Sequence, residues 1–212
     1  MSSSVSQRNG LLDLAYVAMF AALIIVFAFV SIPVGATGLP IVLQNAIIIL
    51  AGLVLGPRRG FYAAALFLGL GLLGLPVLAG GRSTLASLGG ISIGYLVGYL
   101  IAPIVAGLFA YMAPRNAKKS TLIVFMSIGA LLALATQYLC GSVGLVLRAD
   151  MEFWEALVSN GAFLIPDLGK LVIIVLIAWS VHAAFPDIRW GSKEATSVQF
   201  RGQEAGENPE DN

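Results

Sequence analysis

The sequence predicts an all-α integral membrane protein of six transmembrane helices in one bundle, with both termini cytoplasmic. Three observations predict it. Of 212 residues, 58% are hydrophobic and only 11% are charged, and the mean hydropathy is +0.92, which leaves too little polar surface to coat a soluble globule. The apolar residues are gathered into six runs, each able to cross a hydrocarbon core of ~30 Å, which takes roughly 20 helical residues. Lysine and arginine, finally, fall mostly on one side of those runs.

The runs are 14–30, 39–55, 60–79, 89–112, 121–147 and 160–184. They are apolar all round, whereas strands of a membrane barrel would be segments of about ten residues alternating apolar with polar. The first run is longer than a secretory apolar region and lacks a small-residue cleavage site after it, so it reads as a retained helix. With the N-terminus inside, the inner loops hold Arg8, Arg58, Arg59, Arg115, Lys118, Lys119, Arg189, Lys193 and Arg201, and the outer loops only Arg82 and Arg148. Such a bias sets orientation, and an even number of spans preserves it. Residues 1–10 and 189–212 are polar and lack apolar periodicity, so both are expected to be disordered cytoplasmic arms flanking a membrane domain over 11–188.

Several functions are excluded early. A net charge of +1 with scattered basic residues offers no face to nucleic acid. One cysteine, Cys140, and one histidine, His182, form neither a disulfide nor a usual metal site. Gly69-Leu-Gly-Leu-Leu-Gly74 spells a dinucleotide fingerprint, but inside an apolar span with no preceding strand it is a chance match. Gly141-Ser-Val-Gly144 approximates a nucleophile elbow, yet its serine is out of place and the histidine lies at the cytoplasmic end of another span.

The residues that carry chemistry are few. Asp167 and Lys170 lie in the last span three apart, so a helix puts them on one face. Each alone costs on the order of 2.5–3.5 kcal/mol to insert, which turns them into the bundle, where a polar ligand can bond to both. Pro166 before the acid suits a first helical turn. Arg82 sits in the outer glycine-rich loop Ala79-Gly-Gly-Arg-Ser-Thr84, placed to clamp a carboxylate or simply to be solvated. Gln44, Asn45, Tyr95, Gln137 and Tyr138 add hydrogen-bonding groups to apolar spans, either for a ligand or between helices. Glycines 90, 94 and 98, and 52 with 56, form small-residue ridges for close packing, and Ala15, Ala18 and Ala22 form a similar strip on the first span that can meet another subunit.

Pro40-Ile-Val-Leu-Gln44, Leu50-Ala-Gly-Leu-Val-Leu-Gly-Pro-Arg58 and Leu73-Gly-Leu-Pro-Val-Leu-Ala-Gly-Gly81, followed by Gly94-Tyr-Leu-Val-Gly98, Tyr138 to Gly141 and the Asp167 and Lys170 pair, resemble the BioY family. These are biotin-specific substrate-binding (S) components of energy-coupling-factor (ECF) vitamin transporters. The resemblance implies a multi-pass protein of a prokaryotic cell membrane that binds biotin at the outer end of the bundle, with Asp167 and Lys170 in the site. It also implies no catalysis and no cofactor of its own, with ATP consumed by a pair of cytoplasmic ATPases that act through a transmembrane coupling protein. Ala18 and Ala22 match the family's docking strip. The chain departs from the family at Gly90-Ile-Ser-Ile-Gly-Tyr95, where Gly-Pro-Thr-Gly-Gly-Tyr is common. It departs again at Ala162-Phe-Leu-Ile-Pro-Asp167, where Pro-Phe-Leu-Pro-Gly-Asp is usual. An S component for another vitamin, a free-standing facilitator, and an intramembrane enzyme using Ser142 or His182 are the competing readings.

Overall fold

A computed structural model of the chain describes residues 2–33, 40–114, 117–185 and 188. The helices in chain order are α1 (Ser2–Ala28), α2 (Gln44–Leu72), α3 (Thr84–Ser87), α4 (Ile93–Met112), α5 (Lys119–Ala149), α6 (Phe153–Ser159) and α7 (Gly161–Ala184). Between α1 and α2 lie two short strands, β1 (Ser31–Pro33) and β2 (Pro40–Val42), paired antiparallel. Five helices, α1, α2, α4, α5 and α7, are long and apolar enough to cross a membrane.

The fold differs from the expected runs in specific ways. Helix α1 already begins at Ser2, so residues expected to form a disordered arm extend the first helix. The expected tail over 189–212 lies outside the described residues, as does Arg115. The chain between α2 and α4 is irregular from Leu73 and holds only the single turn of α3, so the third run stops being helical short of its expected end at 79. Helix α7 starts at Gly161, which puts Pro166 inside the helix and not in its first turn.

The second and third apolar runs are one continuous helix by backbone pattern, but not one rod. Gly56 has φ +84° and ψ 177°, and Pro57 follows it. A straight helix from 44 to 72 would separate its ends by about 42 Å, yet Gln44 Nε2 donates to the Val77 carbonyl at 2.8 Å. The chain therefore turns back at Gly56, and a Cβ on Gly60 would lie 2.9 Å from the Gly52 Cα. Only glycine takes this φ without steric cost.

The turn leaves carbonyls without helical partners, and Pro57 has no N–H to offer. Other helices supply them. Tyr111 of α4 donates its hydroxyl to the Val54 carbonyl at 2.7 Å, and His182 Nε2 of α7 lies 2.9 Å from the Leu53 carbonyl. Nearby, Arg59 pairs with Asp13 of α1 at 2.6 Å and donates to the Ile188 carbonyl at 3.2 Å. These bonds tie α1, α4 and α7 to the bend.

Packing around α4 depends on absent side chains. A Cβ at Gly52 would fall on the Pro103 backbone, and one at Gly107 on Gly56 and Pro57; one at Gly94 would fall on Cys140 and Gly144 of α5. A Cβ at Gly98 would meet the Gln137 Cα at 3.0 Å, a less severe contact. Gly90 precedes α4 and takes no part in this seam. Removing Cβ atoms lets helices approach until dispersion between backbones stabilises them, the main attraction available where lipid is as apolar as leucine.

Gly52→Ala is therefore expected to lower the thermal unfolding midpoint of the detergent-purified protein by several degrees. Gly69→Ala, where nothing lies within 4 Å of the added Cβ, is expected to leave it unchanged or raise it slightly, because alanine favours the helix by about 1 kcal/mol.

Candidate functional site

Asp167 and Lys170 face inward from α7 and are 4% and 9% exposed. Lys170 Nζ forms an ion pair with Asp167 Oδ1 and donates to Asn45 Oδ1 at 2.9 Å and to the Val42 carbonyl at 2.7 Å. An ammonium has three donors, and all three are used. Asp167 Oδ2 accepts from the Tyr138 hydroxyl at 2.6 Å and from Asn45 Nδ2 at 3.2 Å. Gln137 Nε2 reaches the Asn45 carbonyl at 3.4 Å. The pair is thus the centre of a network that joins the β2–α2 junction, α5 and α7. Charge-assisted bonds of this kind are about twice as strong as neutral ones, and a buried ion that is not fully bonded is costly.

The network forms one wall of a cavity of about 420 Å³ that is also lined by Gln44, Arg82, Tyr95, Tyr99, Asn160 and Phe163. All eight residues singled out as ligand-binding candidates, Asp167, Lys170, Arg82, Gln44, Asn45, Tyr95, Gln137 and Tyr138, line it. The size suits a small molecule, and a largely apolar wall with a few convergent polar groups is what such sites have.

The polar groups are not equivalent. Gln44 is buried, and its amide is committed to the Val77 carbonyl, so it holds the segment after α2 against the site. Arg82 is exposed in a tight turn in which Leu78 N–H donates to the Arg82 carbonyl at 2.9 Å and Gly81 N–H to the Leu78 carbonyl at 3.0 Å. Gly80 and Gly81 have φ +76° and +72°, which this turn requires. The Arg82 guanidinium makes one long bond, Nε to the Ala79 carbonyl at 3.5 Å, and is otherwise available at the cavity's edge among the described residues.

Asn160 and Tyr99 are among the lining residues that the sequence did not single out. Asn160 precedes α7 and is 2% exposed, and its side chain does not cap the helix. It accepts from the Tyr95 hydroxyl at 2.6 Å and donates to Ser142 Oγ at 3.0 Å and the Ala156 carbonyl at 3.1 Å. An asparagine at a helix start reads from sequence as a cap, which hides this role. Tyr99 stands one helical turn after Tyr95, and that spacing was a readable signal.

Ser142 and His182 do not meet. Ser142 is bonded to Asn160 at the start of α7, whereas His182 is at the end of that helix, about 33 Å along its axis at 1.5 Å per residue. Ala15, Ala18 and Ala22 are exposed on α1, on the side largely opposite its buried stripe of Val17, Phe20, Ala21, Ile24 and Ala28. A second cavity, about 360 Å³ and wholly apolar, opens between α4 and α5 away from these groups.

Comparison with known proteins gives a consistent answer. The BioY family model matches residues 1–187. A biotin transporter of Lactococcus lactis subsp. cremoris is 33% identical over 168 residues, covering 77% of this chain and 87% of its own length. One from Rhodobacter capsulatus is 35% identical over 180 residues, covering 80% and 92%. A crystal structure of the S-component for biotin from an ECF-type ABC transporter superposes with a TM-score of 0.72 at 30% identity, covering 83% of this chain and 93% of that one. With its membrane-crossing helices and a family match over nearly its whole described length, this multi-pass membrane protein belongs to the BioY family.

Proposed function

We propose that the chain is the biotin-binding S component of an energy-coupling-factor importer, taking biotin from the outer side into the cavity beside Asp167. The observation that carries this reading is the convergence of every candidate polar residue on one small-molecule-sized cavity in a BioY chain. Biotin has a ureido ring with two N–H donors, an apolar thiophane and chain, and a carboxylate. Asp167 is the natural acceptor for ureido N–H groups. Lys170, with its three donors already engaged, orients Asp167, and Arg82 at the edge takes the ligand's carboxylate through paired bonds.

The reversal of α2 at Gly56 supports six crossings. With the charge asymmetry of the loops, it supports two cytoplasmic termini and a cavity facing outward. The chain has no phosphate-binding loop, so energy for uptake comes from ATPases acting through a transmembrane coupling protein in the cell membrane. The exposed alanines of α1 are the docking strip for that partner.

Isothermal titration of the purified protein with biotin tests the reading, and absence of tight binding sinks it. Asp167→Asn is expected to weaken biotin about ten- to hundredfold, the loss of charge-assisted hydrogen bonding worth about 1.5–3 kcal/mol, and to cost more than Gln137→Ala. Because the single variant strands Lys170, Asp167→Asn with Lys170→Met serves as the folded control and is expected to melt higher than Asp167→Asn while still binding weakly. Equal affinities for folded Asp167→Asn and the unaltered protein would remove Asp167 from its role. Ala18→Leu with Ala22→Leu is expected to leave biotin binding intact and to abolish most energised uptake in cells; a matching loss of binding would make the strip internal packing.

A further inference from the structure

Tyr95 is held at both ends. Its hydroxyl donates to Asn160 Oδ1 at 2.6 Å, and its ring lies against α5 where Gly141 has no side chain: a Cβ there would fall inside the ring, onto Cε1, Cζ and Cδ1. Asn160 is itself fixed, because its amide N–H groups go to Ser142 Oγ and to the Ala156 carbonyl of α6. Tyr95 also lines the cavity.

We propose that Gly141 and Asn160 are positioning residues that clamp Tyr95 as a rigid wall of the ligand cavity and so set its width. This rests on the function proposed above. The physical basis is preorganisation: a side chain already immobilised by packing and a short hydrogen bond costs no rotamer entropy when a ligand lands on it. The notch at Gly141 admits the ring, and a Cβ there would displace it, straining its bond to Asn160 and changing the width of the cavity it lines. Neither residue need touch ligand to act.

The clamp can be read without ligand. With 3-fluorotyrosine at position 95, one narrow ¹⁹F resonance is expected in the purified protein, and a broadened or split one in Asn160→Leu and in Gly141→Ala. An unchanged narrow line in both variants overturns the clamp. With biotin, Gly141→Ala is expected to weaken binding at least tenfold in the unaltered protein but to add little to the loss that Tyr95→Leu alone causes, because the ring it displaces is then absent. If Gly141→Ala merely distorted α5, it would weaken binding as much in the Tyr95→Leu background, and that outcome also overturns the proposal. Should the unaltered protein fail to bind biotin, the functional reading falls while the ¹⁹F signals still decide the clamp.

Discussion

Inside a hydrocarbon layer a polar group has no water to bond with, so each one must be met by another part of the chain. Lys170 is where this constraint presses hardest. Its ammonium finds three acceptors, and they come from its own helix, from the start of α2 and from the backbone of β2. Satisfying one cation thereby fixes three elements at one end of the bundle. Asp167, held by the same cation, then recruits Tyr138 of α5 and Asn45. Such a pair adds little net stability compared with an apolar core; what it supplies is a unique arrangement in which a carboxylate lines a cavity.

The same rule operates at the opposite end. The reversal at Gly56 and Pro57 frees carbonyls in mid-chain, and Tyr111 and His182 reach across from α4 and α7 to them. The lone histidine, which invited a catalytic reading, is thereby explained as a partner for backbone. Ser142 receives a similar explanation from Asn160, and Gly141 before it makes room for Tyr95. The segment that spelled an imperfect nucleophile elbow is a packing surface for Tyr95 and Asn160.

Glycine spacing and polar bonding divide the work. Gly52, Gly94, Gly98 and Gly107 bring backbones together along α4. Helix α7 meets the rest through buried Leu171, Ile174, Val175 and Ala178 as well as through the bonded side chains of Asp167, Lys170 and His182.

Much was legible from sequence, because lipid imposes a coarse and strict code. Apolar length marked the chain as a bundle of membrane-crossing helices, and the expense of two ionisable groups in a membrane singled out Asp167 and Lys170 before any fold was known. The same expense turned attention to Gln44, Asn45, Tyr95, Gln137 and Tyr138, all of which line the cavity. What sequence could not supply was pairing. Nothing in the order of residues says that Asn45 bridges the ion pair, that Gln44 holds Val77, or that Asn160 serves Tyr95 and not its own helix end. These bonds join residues separated by 33 to 125 positions, and only packing decides them. Helix ends were misplaced for a related reason: the third apolar run continues to 79 through an irregular segment from Leu73, where the burial of Val77 and Leu78 and a few turn hydrogen bonds, rather than a helical ladder, hold the chain. The sequence by itself determined that the chain lives in lipid and which few residues cannot be there idly. The tertiary structure decided which partners they hold, because in a membrane each polar group settles on whichever acceptor or donor the folded bundle brings within reach.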